Sequence, residues 1–297
     1  ASPGEIRPIF DARRSGCNAC LLHVPIELAT PERVLQLLTP GMWACSYDAR
    51  HWYHQILVHP DSRKYQGYYD PFAHEFRTFR VAAFGGSTIP AYAQAVSTEA
   101  ARQALECLER STNGEVRADF RALDGRWDDA APTGEHWAII VVYLDDFIVF
   151  GSTRMACEAA RRALAATLSR LGIQCKASKE TDPAQSIRWI GMQYELRSEP
   201  VMSLPRDKAE AYMETVLDVT RTARCSVAAL ETLLGRLLWA ARAWTWGGAF
   251  LKHLHTSLLA ARAGEVALSA EAHAELAVWY AWLPHAALGI RQAQPVA

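Results

Sequence analysis

Residues 141–151 read VVYLDDFIVFG, with two adjacent carboxylates, Asp145 and Asp146, inside an otherwise apolar run. A carboxylate withdrawn from water is costly unless something cationic compensates it, so the pair calls for a partner. The surrounding text WAIIVVYLDDFIVFG (137–151) gives two apolar strands meeting at Leu144-Asp145-Asp146, with both carboxylates exposed at the tip of a hairpin. A helix is predicted over 153–171, with Met155, Ala159, Ala163, Leu164, Leu168 and Leu171 on one face and Gly172 as its stop signal.

Working outward, WACSY (43–47) is a short apolar strand that ends at Asp48, about a hundred residues before the hairpin. A helix is plausible over 31–38, and ARHWYHQILV (49–58) reads as helical or irregular. Residues 65–83 alternate aromatic and polar positions, as a hairpin turning at Pro71-Phe72-Ala73 would, and Pro90 to about Glu109 is an Ala-rich helix. Residues 111–136 are polar, punctuated by Gly and Pro, and net acidic, which predicts a surface insertion or mobile loop. Strand Ile187–Leu196 is expected to pair with Val201–Leu204. After Pro205 the pattern becomes helical alone. Stripes run through Leu230, Leu233, Leu234, Leu237, Leu238 and Ala241 behind a Ser226 N-cap, then Phe250, Leu251, Leu254 and Leu258, then Leu276, Trp279, Tyr280 and Leu283. These patterns predict a mixed α/β body over 1–204 and a helical unit over 205–297.

The 297 residues are 50% hydrophobic and 21% charged, an ordinary globular balance with enough apolar content for a core. The formal net charge of −1 lends no global support to a nucleic-acid partner, so such contacts must rest on local basic patches. Seven scattered cysteines and no signal-like N-terminus predict an intracellular, reducing compartment, nuclear or cytoplasmic, rather than secretion. Cys17-Asn-Ala-Cys20 has zinc-compatible spacing, but no second Cys/His pair stands at a matching interval. No apolar run approaches the length of a membrane span. The chain opens on Ala rather than Met, as an excised piece of a longer protein would.

Three carboxylates delivered by strand ends, Asp48, Asp145 and Asp146, are the oxygen donors that two Mg²⁺ ions require, with Mn²⁺ as the alternative. In two-metal phosphoryl transfer one ion activates the attacking hydroxyl and the other steadies the leaving oxygen. A bare Asp-Asp is ordinarily a turn pair, and Asp128-Asp129, which lies in the polar insertion without flanking strands, is read that way.

The flanks of Asp145-Asp146 distinguish it. YLDD between apolar strands resembles the Tyr-x-Asp-Asp motif of reverse transcriptases, and further segments follow in that family's order. CSYDARHWYHQILVHPDSRKY (45–65) resembles its first palm motif, and FRVAAFGGSTIPAYAQ (79–94) the next. LSRLGIQCKASKE (168–180) is similar to the Leu-Gly…Lys segment after the catalytic hairpin, and WIGMQYEL (189–196) to the primer grip. RPIFDARRSGCN (7–18) resembles a fingers segment. MSLPRDKAEAY, LLGRLLWAARAW and GGAFLKHL resemble the thumb of retroelement polymerases, the DIRS-type and LTR-type retrotransposons in particular.

The resemblance implies an α+β right-hand polymerase: fingers and palm with an antiparallel sheet flanked by helices, then a helical C-terminal thumb and connection. It implies an RNA-directed DNA polymerase that adds deoxynucleoside triphosphates to a DNA or RNA primer on an RNA template. Asp48, Asp145 and Asp146 match the metal ligands, with Asp48 and Asp145 ranked above Asp146. Tyr53 matches the aromatic gate against a ribose 2′-hydroxyl, and Phe84 and Gly85 the pair beneath the incoming base. Arg7 and Arg13 match fingers basics, Arg7 being the better triphosphate candidate. Lys179 matches a lysine proposed to protonate the leaving pyrophosphate. Gly191 and Met192 fall in the primer grip. Arg221, Arg224, Arg236, Lys252, His253 and His255 are the thumb candidates for phosphate-backbone contact.

The chain departs from the family pattern in several places. The usual Leu-Pro before Phe-Gly is Ala82-Ala83 and the usual following Leu is Gly86, which predicts a weakened, more mobile pocket floor. The fingers are expected to begin upstream of residue 1. The chain is expected to stop before an RNase H domain, which a larger polyprotein would supply. Two other functions fit parts of this pattern: a catalytically silent scaffold in a ribonucleoprotein assembly, and an RNA-dependent RNA polymerase.

Overall fold

A computed structural model describes residues 10–22, 24–221, 224–261 and 264–291. The chain divides into two compact units. The first joins the described residues up to Ala29 with Trp43–Ala184; the second joins Thr30–Met42, which holds helix α1 (Pro31–Leu37), with the described residues from Gln185 onward. The division therefore falls at Ala184/Gln185, whereas the compositional change at Pro205 marks the start of a helix inside the second unit.

The first unit is built on a four-stranded sheet. Strands β1 (Trp43–Asp48), β4 (Arg117–Asp119), β5 (Trp137–Tyr143) and β6 (Asp146–Gly151) lie in the order β1-β6-β5-β4. β1/β6 and β6/β5 are antiparallel, and β4 joins β5 in parallel. Strand pleating sends alternate side chains to opposite faces. Cys45, Tyr47, Ala138, Ile140, Val142, Phe147 and Val149 form one core cluster with residues of the helices α3 (Ile89–Ser111) and α4 (Arg154–Arg170). Their neighbours on the other face, Ile139, Val141, Ile148 and Phe150, are buried as well. That explains why β5 and β6 read as continuous apolar runs rather than alternating ones. A short helix α2 (Trp52–Gln55) and the hairpin β2 (Gly67–Asp70)/β3 (Glu75–Thr78) follow β1, the hairpin turning at 71–74 as its sequence predicts.

The structure departs from three expectations. The 111–136 segment is no simple surface loop: it contributes β4 to the sheet, buries Trp127, and carries a buried ion pair between Asp119 and Arg121 (Nη2–Oδ2 2.8 Å). Asp119 and Arg121 satisfy each other inside the fold, whereas most of the segment's other charged residues are exposed, as a surface insertion predicts. On α4, Met155 and Leu171 are 41% and 42% exposed, because the buried stripe is centred on Ala156, Cys157, Ala160 and Leu164. The single strand predicted over Ile187–Leu196 is a hairpin.

That hairpin, β7 (Ser186–Trp189) and β8 (Met192–Glu195), turns through Ile190 and Gly191, both at positive φ. It begins the second unit's sheet, continued by β9 (Val201–Ser203) and β12 (Ile290–Arg291) in the order β12-β9-β8-β7. The predicted helices follow as α5 (Arg206–Thr220), α6 (Val227–Ala240), α7 (Lys252–Leu259) and α8 (Ala270–Trp282). They are not alone, for a two-stranded ribbon of β10 (Arg224–Ser226) and β11 (Glu265–Ala267) lies among them. Ser226 caps α6 by accepting from Ala229 N–H, as predicted. Leu230, Leu233, Leu234, Leu237, Leu276 and Trp279 are buried, while Leu238 and Tyr280 of the predicted stripes are 56% and 40% exposed. Among the described residues no helix is long and apolar enough to cross a membrane.

Candidate active site

The antiparallel register makes Asp48 the direct partner of Asp146 across β1/β6, and Tyr143 the partner of Asp146 across β5/β6. All three therefore project from the face opposite α3 and α4. Asp145 lies in the turn between β5 and β6, and its carbonyl accepts from Ala49 N–H (2.8 Å), tying the turn to the end of β1. The three carboxylates named from the sequence thus meet at one end of the sheet. They are less exposed than a hairpin tip implies: Asp48 is buried and the other two are half-buried.

The segment after α4 runs along the outer edge of β1. Ala184 and Ala44 exchange backbone hydrogen bonds, Ser46 N–H donates to Thr181 Oγ1, Lys176 N–H donates to the Asp48 carbonyl, and Arg50 N–H to the Gln174 carbonyl. This edge contact delivers two ammonium groups to Asp48: Lys176 Nζ at 2.7 Å from Oδ1 and Lys179 Nζ at 2.5 Å from Oδ2. Burial pushes the Asp48 carboxyl up, but the hydrogen bonds and charges of the two lysines outweigh it and hold the group below its ordinary range. The neighbouring carboxyls go the other way. Burial, then the Asp48 charge, raises Asp145, although a backbone N–H partly offsets the rise; burial and the charges of Asp145 and Asp48 raise Asp146 to about 7. Lys179 was anticipated from the sequence, but Lys176 was not, although it stands in the same quoted segment.

Beside the carboxylates lies a cavity of about 100 Å³ lined by His51, Trp52, Tyr53, Phe84, Asp145 and Lys176. Tyr53 and Phe84 meet edge to face at 4.7 Å. Two of the predicted nucleotide-pocket residues are thus brought together, with Gly85 following directly at φ +113°, a conformation that favours glycine. Arg13 is exposed in a turn and does not line this cavity, and Arg7 lies outside the described residues.

Residues around the departures from the family pattern, Ala82-Ala83 and Gly86, are held by hydrogen bonds from distant parts of the chain. Ala82 and Ala83 are buried. Ala82 N–H donates to the Ile56 carbonyl, and Ala83 N–H, a donor that proline would lack, reaches Gln66 Oε1 at 2.9 Å. Asn18 closes the next turn, its Nδ2 donating to the Gly85 carbonyl (3.0 Å) and its Oδ1 accepting from Ser87 N–H (2.9 Å). Phe10 N–H bonds the Phe84 carbonyl. Gln66 and Asn18 are long-range partners that no local pattern marks.

Three carboxylates at one sheet end, two of them raised by burial and mutual repulsion, have the hard oxygen chemistry that suits a divalent cation. Asp48, however, is committed to its two lysines, and among the described residues no group of three His, Cys, Asp or Glu side chains is arranged to hold a metal ion. A cation that took Asp48 as a ligand would compete with Lys176 and Lys179 for its two oxygens.

In the second unit, Gly191 and Met192 stand at the β7/β8 turn, where Lys208 Nζ donates to the Gly191 carbonyl (3.3 Å). Arg236 bonds Thr215 and covers the Tyr212 ring, and Arg224 pairs with Glu265 across the β10/β11 ribbon (3.4 Å). Arg221, Lys252 and His255 are exposed, while the His253 and Leu254 N–H groups are capped by the buried carboxylate of Glu275.

No protein-family model and no curated protein matches the chain. Solved structures do. A foamy viral protease–reverse transcriptase dRH bound to double-stranded DNA superposes with a TM-score of 0.66 at 14% identity, covering 96% of this chain and 42% of that one. The foamy viral protease–reverse transcriptase with an RNA/DNA hybrid gives 0.64 at 14% identity, over 93% of this chain and 31% of that one. Its complex with double-stranded DNA gives 0.62 at 13% identity, over 95% and 50%. The chain thus spans between a third and a half of the length of these structures. It has the fold of a reverse transcriptase, a mixed α+β architecture with sheets flanked by helices and a helical C-terminal region.

Proposed function

We propose that this chain is an RNA-directed DNA polymerase of the retrotransposon kind, transferring deoxynucleotides to a primer 3′-hydroxyl on an RNA template. The observation that carries the reading is the register that sets Asp48 opposite Asp146, with Asp145 in the adjoining turn and the cavity of Tyr53 and Phe84 beside it. In this reading Asp48, Asp145 and Asp146 hold Mg²⁺ or Mn²⁺, which when bound would neutralise phosphate charge and activate the attacking hydroxyl. Tyr53 excludes a 2′-hydroxyl, Phe84 and Gly85 support the incoming base, and Arg7 and Arg13 serve the triphosphate. Lys179, with Lys176 beside it, supplies positive charge where pyrophosphate leaves. Residues 1–204 act as fingers and palm and 205–297 as thumb and connection, with Gly191, Met192, Arg221, Arg224, Arg236, Lys252, His253 and His255 on the primer–template. The setting is an intracellular, reducing compartment, and an RNase H domain or larger polyprotein is the natural companion.

Extension of a DNA primer along an RNA template with Mg²⁺ tests the reading. Folded protein that binds primer–template yet never extends it under any divalent metal contradicts it. The engagement of Asp48 by Lys176 and Lys179 favours the scaffold alternative, in which those ion pairs are permanent. An RNA-dependent RNA polymerase is disfavoured by an aromatic ring at position 53, since the sugar gate of such enzymes is usually small or polar.

A further inference from the structure

Leu144, the residue before the aspartate pair, sits at φ +55°, left-handed backbone that a leucine adopts only at a cost. Two side chains one turn apart on α3 hold it there. Leu144 N–H donates to Gln94 Oε1 (2.8 Å), and Ser97 Oγ, fully buried, donates to the Leu144 carbonyl (2.5 Å). Gln94 Nε2 also donates to the Val142 carbonyl (3.3 Å), so one amide braces the strand end and the turn together. Both peptide groups of Leu144 are thus fixed from the helix by partly buried hydrogen bonds.

We propose that Gln94 and Ser97 are positioning residues: they hold Leu144 left-handed and thereby fix the direction in which Asp145 and Asp146 leave the turn. A leucine freed of these bonds relaxes toward ordinary φ, and that rotation displaces the carboxylate next to it. The geometry stands without a polymerase, but the consequence for catalysis rests on the function proposed above.

Two measurements on the full chain test this. The first is a urea-unfolding cycle of Gln94→Met and Ser97→Ala, each made alone and combined with Leu144→Gly, since glycine takes a left-handed φ at little cost. Each clamp variant is expected to lower the unfolding midpoint, and by clearly more in the Leu144→Gly background, where no backbone strain is released when the bonds are lost. Equal shifts in both backgrounds overturn the clamp. The second is single-nucleotide incorporation, in which Gln94→Met and Ser97→Ala are expected to lower kcat by about 10- to 100-fold, the scale of a small misplacement of reacting groups, with KM for dNTP within about twofold of wild type. Unchanged kcat, or a change confined to KM, overturns the positioning role. If the wild-type chain extends no primer, the polymerase reading fails on its own and the unfolding cycle still decides the clamp.

Discussion

Asp48 and Asp146 face each other across β1/β6, yet their carboxyls titrate in opposite directions. Lys176 and Lys179 hold Asp48 low, while Asp146 is half-buried beside two other carboxylates, pairs with no lysine among the described residues, and is pushed up to about 7 from 3.8 despite the charges of those two lysines. Between pH ~4 and ~7 the folded chain therefore binds more protons at Asp146 than the unfolded chain does, and stability contributed by this group falls as pH rises through that window. Asp48 acts oppositely, its contribution being lost only on acidification below the ordinary carboxylate range. Asp146→Asn is expected to stabilise the chelator-treated protein by ~1–3 kcal/mol at pH 8 and little at pH 4, the scale of removing an uncompensated buried polar group. Urea unfolding at the two pH values checks this, and equal effects at both would remove the raised carboxyl from the account.

Tyr53 lies against Phe84 in the cavity beside Asp145. Tyr53→Ala opens the space a ribose hydroxyl would need. Discrimination of dNTP over NTP, measured as the ratio of kcat/KM, is expected to fall on the order of 10²-fold, while Tyr53→Phe keeps it. An unaltered ratio in Tyr53→Ala would take the gate away from this residue.

Gln66 carries the N–H of buried Ala83, the position at which the family usually has proline. Gln66→Leu leaves that donor unpaired and is expected to cost about 1–3 kcal/mol in unfolding free energy. It should also raise KM for dNTP more than it lowers kcat, because the floor rather than the carboxylates moves. A neutral variant would return the floor to the loose state its sequence implies.

The Arg121 side chain forms three hydrogen bonds to Asp119, its backbone N–H forms a fourth, and its guanidinium lies 6.0 Å from the Trp137 ring. Arg121→Met strands a buried carboxylate and is expected to destabilise by ~3–5 kcal/mol, whereas adding Asp119→Leu restores much of that loss. Thermal unfolding of the single and double variants decides whether 111–136 is part of the folded sheet.

The legible parts of this molecule are those whose signal is local. Alternation and strand length expose β1, β5 and β6, and the same strands explain why Asp48 and Asp146 can meet. The rest depends on partners far apart in sequence. Lys176 reaches Asp48 only because the 174–184 segment runs beside β1. Gln94 and Ser97 look like ordinary polar positions of an Ala-rich helix until the turn at Leu144 is seen against them. The 111–136 segment misleads for a related reason, since Asp119 and Arg121 satisfy each other inside the fold while spelling a solvated loop. Met155 and Leu171 show the limit of an apolar stripe, for half of the buried residues of α4 are alanines.

If Asp48, Asp145 and Asp146 form one polymerase centre, as proposed, rapid-quench incorporation of a single dNTP on an RNA-templated DNA primer depends on each of them. Wild type should incorporate in a Mg²⁺-dependent manner, and Asp48→Asn and Asp145→Asn should each lose about 10³-fold or more in rate, the scale of removing preorganised charge stabilisation from a reacting centre. Both variants should retain primer–template affinity. Incorporation that survives either substitution, or a wild-type chain that binds primer–template and incorporates nothing, would contradict the account.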